Sequence, residues 1–129
     1  MILVDTSVWI ATFRSQRPLD LEAVLEFDEI VTCLPVVQEV LQGFRDETAF
    51  RRARVAMLAL PIVESPLAED VIAQAVDLYR GARRGGLTVR SSVDCLIAAC
   101  AIRNDLEVVH LDRDYRALAQ VSSLRHRSL

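Results

Sequence analysis

The sequence predicts an α/β domain with a central, mostly parallel sheet of four to five strands flanked by helices on both faces. Short, largely apolar runs, of which residues 1–4 show no polar alternation, indicate strands buried on both faces of a parallel sheet. These runs alternate with longer segments whose apolar residues have helical spacing, the order expected of such a sheet. With 129 residues, 52% of them hydrophobic, we expect one domain spanning residues 1–129 with a core of its own.

The first half of the chain is predicted to contain two strands and four helices. In order these are a strand at 1–4, helices at 7–13 and 19–27, a strand at 29–34, and helices at 35–44 and 46–60. Pro35 ends the second strand and opens the next helix, because proline is tolerated in the first helical turn.

The second half continues the alternation. It comprises a strand at 61–65, helices at 67–83 and 93–103, a strand at 106–111, a short helix ending at 120, and a tail at 124–129 that can add an edge strand. Gly81, Gly85 and Gly86 interrupt the chain before the helix at 93–103. That helix is apolar on nearly every side, which predicts a central, buried position.

Composition excludes several classes of protein. The net charge of −3 is not typical of a nucleic-acid-binding domain, and all fifteen basic residues are arginine. Without lysine, a Walker A phosphate loop and Schiff-base chemistry are excluded. Three cysteines without CxxC spacing are expected in the core. No apolar stretch approaches the roughly 18 residues of a membrane span, so we expect a soluble, cytoplasmic protein.

Two predicted strands end at an aspartate. Asp5 follows the strand at 1–4, and Asp112 follows the strand at 106–111. Open α/β sheets bind ligands beyond the carboxyl ends of their strands, so both carboxylates are candidates for a site there. For Asp5 the alternative is a helix cap, a role that Thr6 can also fill.

Two further acids lie on predicted helices. Glu39 lies at the border of the apolar stripe of the helix at 35–44, where a solvated glutamate is the alternative. Asp94 shares a helix face with Ile97 and therefore points inward from the first turn of a buried helix. Its alternative is a capping interaction with the preceding serines, favoured by the helix dipole.

A cluster of these acids would require either compensating cations or the uptake of protons. Two carboxylates about 4 Å apart repel by roughly 4 kcal/mol at an effective dielectric of 20. Oxygen ligands select Mg²⁺ or Mn²⁺, and the two histidines, His110 and His126, are not spaced as a zinc site. Carboxylate-held Mg²⁺ typically serves phosphoryl chemistry.

Four segments together resemble the acidic signatures of PIN domains, most closely those of VapC-type toxins from bacterial toxin–antitoxin pairs. They are DTSVWI beginning at Asp5, PVVQEV containing Glu39, SVDCLIAA containing Asp94, and LDRDY containing Asp112 and Asp114. The four occur in the family's order and span the whole chain, so the fold expected is a PIN-like domain.

The resemblance implies a metal-dependent endoribonuclease that hydrolyses tRNA or another structured RNA with Mg²⁺ or Mn²⁺. It also implies a homodimer and a VapB-type antitoxin whose tail occupies the active site. By position, the catalytic and metal-binding acids are Asp5, Glu39, Asp94 and Asp112, with Asp114 as a further metal ligand and Thr6 and Ser92 in support. Whether Asp112 or Asp114 lies nearer the metal is left open.

RNA binding at such a site requires positively charged side chains nearby, because phosphate contacts supply most sequence-independent affinity. The candidates precede Asp94 in the sequence: Arg80, Arg83, Arg84 and Arg90. A solvated helix face is the alternative for this group. Trp9 and Phe13 can stack on bases, but four residues apart on a short helix they are expected to pack into the core or a dimer face.

Two other functions compete with the ribonuclease. A phosphatase with Asp5 as nucleophile is disfavoured because Ser7 stands where such enzymes need a second aspartate, and because lysine is absent. A PIN-like module that binds RNA or a partner without cleavage is the main alternative. The presence of all the acids argues against it.

Overall fold

The computed structural model describes residues 1–129 and contains five strands and seven helices. The strands are β1 (Ile2–Val4), β2 (Ile30–Cys33), β3 (Ile62–Val63), β4 (Glu107–His110) and β5 (Arg125–Ser128). The helices are α1 (Thr6–Phe13), α2 (Leu21–Val24), α3 (Leu34–Gln42), α4 (Glu47–Leu58), α5 (Glu69–Arg84), α6 (Ser92–Arg103) and α7 (Asp114–Gln120). The predicted α/β class is confirmed. None of the helices has the length and apolar character needed to cross a membrane.

All five strands are parallel and lie in the order β3-β2-β1-β4-β5. β1 occupies the centre, where Leu3 is paired with Val31 of β2 on one side and Val108 of β4 on the other. From β1 the chain adds β2 and β3 on one side of the sheet, and it then crosses back to add β4 and β5 on the other side. The point at which the strand order reverses therefore lies between β1 and β4. A crevice at the carboxyl edge of these two strands is where open α/β sheets bind ligands.

The core lies around β1, β4 and α6. Ile97 and the run from Ala98 to Ala101 are fully buried, so the predicted central position of this helix is confirmed. Cys33, Cys95 and Cys100 are free thiols within the core. Their small side chains fill internal volume, as the sequence indicated.

The predicted helix at 19–27 is wrong in extent. Only α2 is helical there, followed by an extended residue, Leu25, and a single 3₁₀ turn at Phe27–Glu29. Leu21 and Leu25 are buried whereas Val24 and Phe27 are exposed, so the apolar residues do not form one stripe. The predicted edge strand at the carboxyl terminus is confirmed as β5, which pairs with β4 in parallel.

Candidate metal centre

Three carboxylates meet at the carboxyl edge of the sheet. Asp94, Asp112 and Asp114 each offer one oxygen, and these three oxygens lie within 4.8 Å of one another. Asp94 comes from the first turn of α6, whereas Asp112 and Asp114 come from the short segment between β4 and α7. Asp94 and Asp114 are buried and Asp112 is half-buried. The fold thus brings both acids of the last motif to Asp94.

Asp94 is the carboxylate with the least compensation from the protein. Its Oδ2 atom is buried and accepts no hydrogen bond. Burial, followed by the negative charges of Asp5 and Asp112, raises the pKa of Asp94 to about 8. A buried carboxylate oxygen without a donor is costly unless a cation lies beside it. Because all the donors are carboxylate oxygens, these residues fit Mg²⁺ or Mn²⁺.

Asp5 is fixed at the end of β1 by groups on three sides. Its amide N–H donates to the Val109 carbonyl of β4 at 2.9 Å. Its Oδ2 atom accepts from the Ser7 amide at 3.0 Å, and this bond caps α1. The same oxygen also accepts from the Ser7 hydroxyl. Its Oδ1 atom accepts from the hydroxyl of Tyr115. Asp5 therefore caps α1, and its carboxylate is held in one orientation at the carboxyl end of β1.

Glu39 is held by the residue that follows Asp5. The Thr6 hydroxyl donates to Glu39 Oε1 at 2.7 Å, which connects the start of α1 to α3. Glu39 is half-buried, so the fully solvated alternative does not hold. Glu39 and Asp5 lie outside the group of three oxygens formed by the other acids, although the charge of Asp5 acts on Asp94.

Arg90 is the one predicted RNA-binding arginine that contacts the acids. Its amide N–H donates to Asp114 Oδ2 at 3.0 Å. Its guanidinium lies 3.5 Å from Asp114 Oδ1 through Nε and 3.7 Å from Asp112 Oδ1 through Nη2. The side chain is about half exposed, at 56%, so it faces both the acids and solvent.

The other predicted positive groups lie on α5. Arg80, Arg83 and Arg84 are exposed, line one surface depression together, and form no ion pair. Ser92 is exposed at the first residue of α6, and the preceding Ser91 at the N-cap makes no side-chain capping bond. The predicted serine cap for Asp94 is therefore absent.

Trp9 and Phe13 pack against each other, with ring centroids 5.9 Å apart, and Trp9 is buried. Phe13 also contacts the edge of Phe44. The internal packing expected for this pair is confirmed, which leaves Trp9 unable to stack on a base.

Three polar residues support the acids and were not singled out by the sequence. Tyr115 and Ser7 hold Asp5, and the Ser7 hydroxyl also accepts from the Leu111 amide at 3.0 Å. His110 accepts at Nδ1 from the Asp112 amide at 3.1 Å, so its Nε2–H is the donor to His126 Nδ1, 2.9 Å away. Burial and the neighbouring imidazole lower the pKa of His110. The available signal was position, because Ser7 and His110 each lie two residues from an acid that follows a strand, and Tyr115 directly follows Asp114.

Fold and site together define a parallel α/β protein with an acidic centre suited to a divalent cation at the carboxyl edge of its sheet. Residues 2–121 match the family model described as PIN domain, and the chain belongs to the PIN domain family.

Relatives share most of the chain's length. VapC ribonuclease Mb1587 of Mycobacterium bovis is 38% identical over 130 residues, covering 97% of this chain and 96% of the relative. Ribonuclease VapC11 of Mycobacterium tuberculosis matches with the same identity and coverage.

Solved structures of toxin–antitoxin complexes share the fold. VapBC-5 of Mycobacterium tuberculosis matches with a TM-score of 0.69 and 26% identity, covering 99% of this chain and 98% of that one. VapBC2 of Rickettsia felis, bound to a DNA fragment from its promoter, matches with a TM-score of 0.75 and 16% identity, covering 100% and 99%.

Proposed function

We propose that this protein is a metal-dependent endoribonuclease, the toxin of a toxin–antitoxin pair, that hydrolyses phosphodiester bonds in tRNA or another structured RNA. The observation that carries the proposal is the buried, unpartnered oxygen of Asp94 among the carboxylates of Asp112 and Asp114. A protein retains such a cluster when cations compensate it. Relatives that are 38% identical over nearly the whole chain are named ribonucleases, which supports RNA as the substrate.

Asp94, Asp112 and Asp114 would hold Mg²⁺ or Mn²⁺, with Asp5 and Glu39 completing the acidic surroundings. A divalent cation bound there lowers the pKa of a coordinated water and stabilises negative charge on a phosphate. The chain's own contribution is orientation. Tyr115 and Ser7 fix both oxygens of Asp5, and Thr6 fixes Glu39, so the carboxylates keep their places without the substrate.

Phosphate binding is assigned to the exposed arginines beside the acids. Arg90 already faces the centre, and Arg80, Arg83 and Arg84 provide positive charge at the carboxyl end of α5. Salt-dependent contacts of this kind position a nucleic acid without reading its bases. Ser92, exposed two residues before Asp94, is available to a substrate oxygen.

The proposed partner is a VapB-type antitoxin whose tail occupies the acidic site, and the proposed assembly is a homodimer in the cytoplasm. The structural relatives from Rickettsia felis and Mycobacterium tuberculosis were solved as toxin–antitoxin pairs. An acidic crevice accepts a basic side chain by the same charge complementarity that admits a cation.

The test is RNA cleavage by the purified chain in Mg²⁺ or Mn²⁺, comparing Asp5→Asn and Asp94→Asn with the parent. Each variant should lose at least about 100-fold in rate, since each removes a charge at the centre. The matched control is Asp28→Asn, an exposed aspartate of the 3₁₀ turn, which should cleave normally. If the parent binds RNA but cleaves none with either ion, the alternative hypothesis of an RNA-binding module without cleavage is correct. If both site variants cleave like the parent, the assignment of the centre is wrong.

A further inference from the structure

The imidazole of His110 is linked to two of the acids. His110 is the last residue of β4, and it is only 1% exposed. Its Nδ1 atom accepts a hydrogen bond from the amide of Asp112 at 3.1 Å. Its ring also packs against the ring of Tyr115, with centroids 4.9 Å apart, and Tyr115 in turn holds Asp5. The orientation of this one ring therefore matters to both acids at the carboxyl edge of the sheet.

The other ring nitrogen of His110 reaches the edge strand β5. Its Nε2 atom lies 2.9 Å from Nδ1 of His126, and the two rings are stacked with centroids 5.1 Å apart and planes 28° from parallel. His126 is half-buried and takes part in no ion pair with an acid. The contact between His126 and His110 is therefore the route by which β5 can act on the acids.

The hydrogen bonds determine which nitrogen of His110 carries the proton. A backbone amide can only donate, so the Nδ1 atom that faces the Asp112 amide is unprotonated. The neutral ring then has its proton on Nε2, and Nδ1 of His126 is the acceptor for it. Because buried polar groups require partners, this acceptor stabilises the Nε2–H tautomer over the other one.

Loss of the acceptor on β5 would disturb the segment between β4 and α7. The other tautomer of His110 has its proton on Nδ1, which sets two donors against each other at the Asp112 amide. That amide then loses its partner. Since Asp112 Oδ1 accepts from the Asp114 amide at 3.0 Å, a displacement of Asp112 extends to Asp114. Both acids of the last motif therefore depend on the tautomer of one ring.

We infer that His126 is a positioning residue for the acidic centre, which fixes the tautomer of His110 and thereby the place of Asp112. The consequence for metal binding rests on the proposed function, whereas the hydrogen bonds themselves exist in the metal-free chain. His126 lies outside residues 2–121, which match the PIN domain model. The inference thus adds a residue of β5 to those that support the site.

The test compares the parent with His126→Phe and His126→Asn at pH 8, well above the ordinary pKa of imidazole. Phenylalanine keeps a stacked ring without an acceptor, whereas the side-chain oxygen of asparagine can replace Nδ1 as the acceptor. In metal-free protein, ¹H–¹⁵N correlations of the imidazole rings report the tautomer of His110. The parent and His126→Asn should have the proton on Nε2, and His126→Phe should populate the tautomer with the proton on Nδ1.

Two further measurements follow the effect from His110 to the acids. In His126→Phe the amide of Asp112 should exchange with solvent at least about tenfold faster than in the parent, because it has lost its acceptor. Calorimetric titration should show Mn²⁺ affinity roughly tenfold lower for His126→Phe and within about threefold of the parent for His126→Asn. His126→Leu, also without an acceptor, should behave like His126→Phe. Ser128→Ala, an exposed position on the same strand, is the control and should match the parent.

Thermal unfolding of each variant identifies any that has lost its fold. The inference is overturned if His110 of the parent carries its proton on Nδ1, or if a folded variant without the acceptor keeps the parent's tautomer and Asp112 exchange rate. It is also overturned if His126→Asn loses as much as His126→Phe, since packing would then be the contribution of His126. A parent that binds no Mn²⁺ contradicts the proposed function alone, because the tautomer and the exchange rate are measured without metal.

Discussion

The hydroxyl of Tyr115, in the first turn of α7, donates a hydrogen bond to Asp5 Oδ1 at the end of β1. Tyr115 is fully buried, and burial together with the charge of Asp5 raises its pKa well above the ordinary value. The hydroxyl therefore stays protonated and remains a donor. Since Ser7 holds the other oxygen, the carboxylate of Asp5 has one fixed orientation, in which its charge acts on Asp94.

Tyr115→Phe should weaken Mn²⁺ binding by roughly 10-fold to 100-fold, the cost typical of losing a group that orients a metal ligand. The aromatic ring stays in the core, so the fold should persist with a loss of about 1–3 kcal/mol in the free energy of unfolding. Calorimetric titration with Mn²⁺ measures the affinity. Tyr79→Phe, on the exposed face of α5, is the control and should bind Mn²⁺ like the parent. Equal affinities for the two variants would contradict the orienting role.

In the metal-free protein, the contribution of Asp94 to the unfolding free energy should fall as pH rises from about 4 to 8. The folded pKa of Asp94, about 8, lies above its ordinary value of 3.8. Below pH 4 the group is protonated in both states, so its stabilising contribution is fully present. Between these values the unfolded chain releases the proton and the folded chain retains it, so stability is lost until pH passes about 8. Urea unfolding in a chelator at pH 5 and pH 8 measures this change.

Asp94→Asn should therefore change stability in opposite directions with and without metal. In chelator at pH 8 the variant should be more stable than the parent by on the order of a few kcal/mol, because it removes the cost of burying the charge of Asp94 and the repulsion among the acids. In saturating Mn²⁺ the order should reverse, since the variant loses the stabilisation that ligand binding confers on the folded state. A variant stabilised by Mn²⁺ as strongly as the parent would show that Asp94 does not hold the ion.

Thr6→Val should lower the rate of RNA cleavage about tenfold while changing the unfolding free energy by only about 1 kcal/mol. The valine keeps the volume of a buried side chain, but Glu39 loses its donor and can turn toward solvent. Thr12→Val is the matched control, because the Thr12 hydroxyl donates to a backbone carbonyl of α1, away from the acids. Cleavage rates and melting temperatures of the two variants give the comparison. Similar rates for both would mean that Thr6 does not position Glu39.

The sequence predicted the fold well where periodicity was strong. Parallel strands buried on both faces are marked by short apolar runs. The central position of α6 could be predicted because the helix is apolar on nearly every side. It predicted the 19–27 region poorly, because the apolar residues there satisfy helical spacing without all facing the core. Leu21 and Leu25 are buried, but Phe27 is not.

The candidate acids could be found because strand ends and helix faces are readable from spacing. Their supports could be predicted only in part. Thr6 stands directly after Asp5 in the first motif and does hold Glu39, whereas the hydrogen bond between Tyr115 and Asp5 joins residues 110 positions apart. Nor does the sequence say which of the two acids in the last motif approaches Asp94. In the structure both do, since Asp114 donates its amide to Asp112 Oδ1 at 3.0 Å and the pair turns to the same side.

Arg90→Gln should tighten Mn²⁺ binding severalfold and weaken RNA binding at low salt. The guanidinium lies beside Asp112 and Asp114, so its charge opposes a cation at the same carboxylates. The same charge attracts phosphate. Its loss should reduce the slope of the RNA-binding constant against salt concentration by the amount expected for about one phosphate contact. The hydrogen bond that the backbone amide of residue 90 donates to Asp114 Oδ2 persists in the variant. Arg113→Gln, an exposed arginine without an ion pair, is the control. Weaker Mn²⁺ binding in Arg90→Gln would mean that the arginine organises the acids instead of opposing the ion.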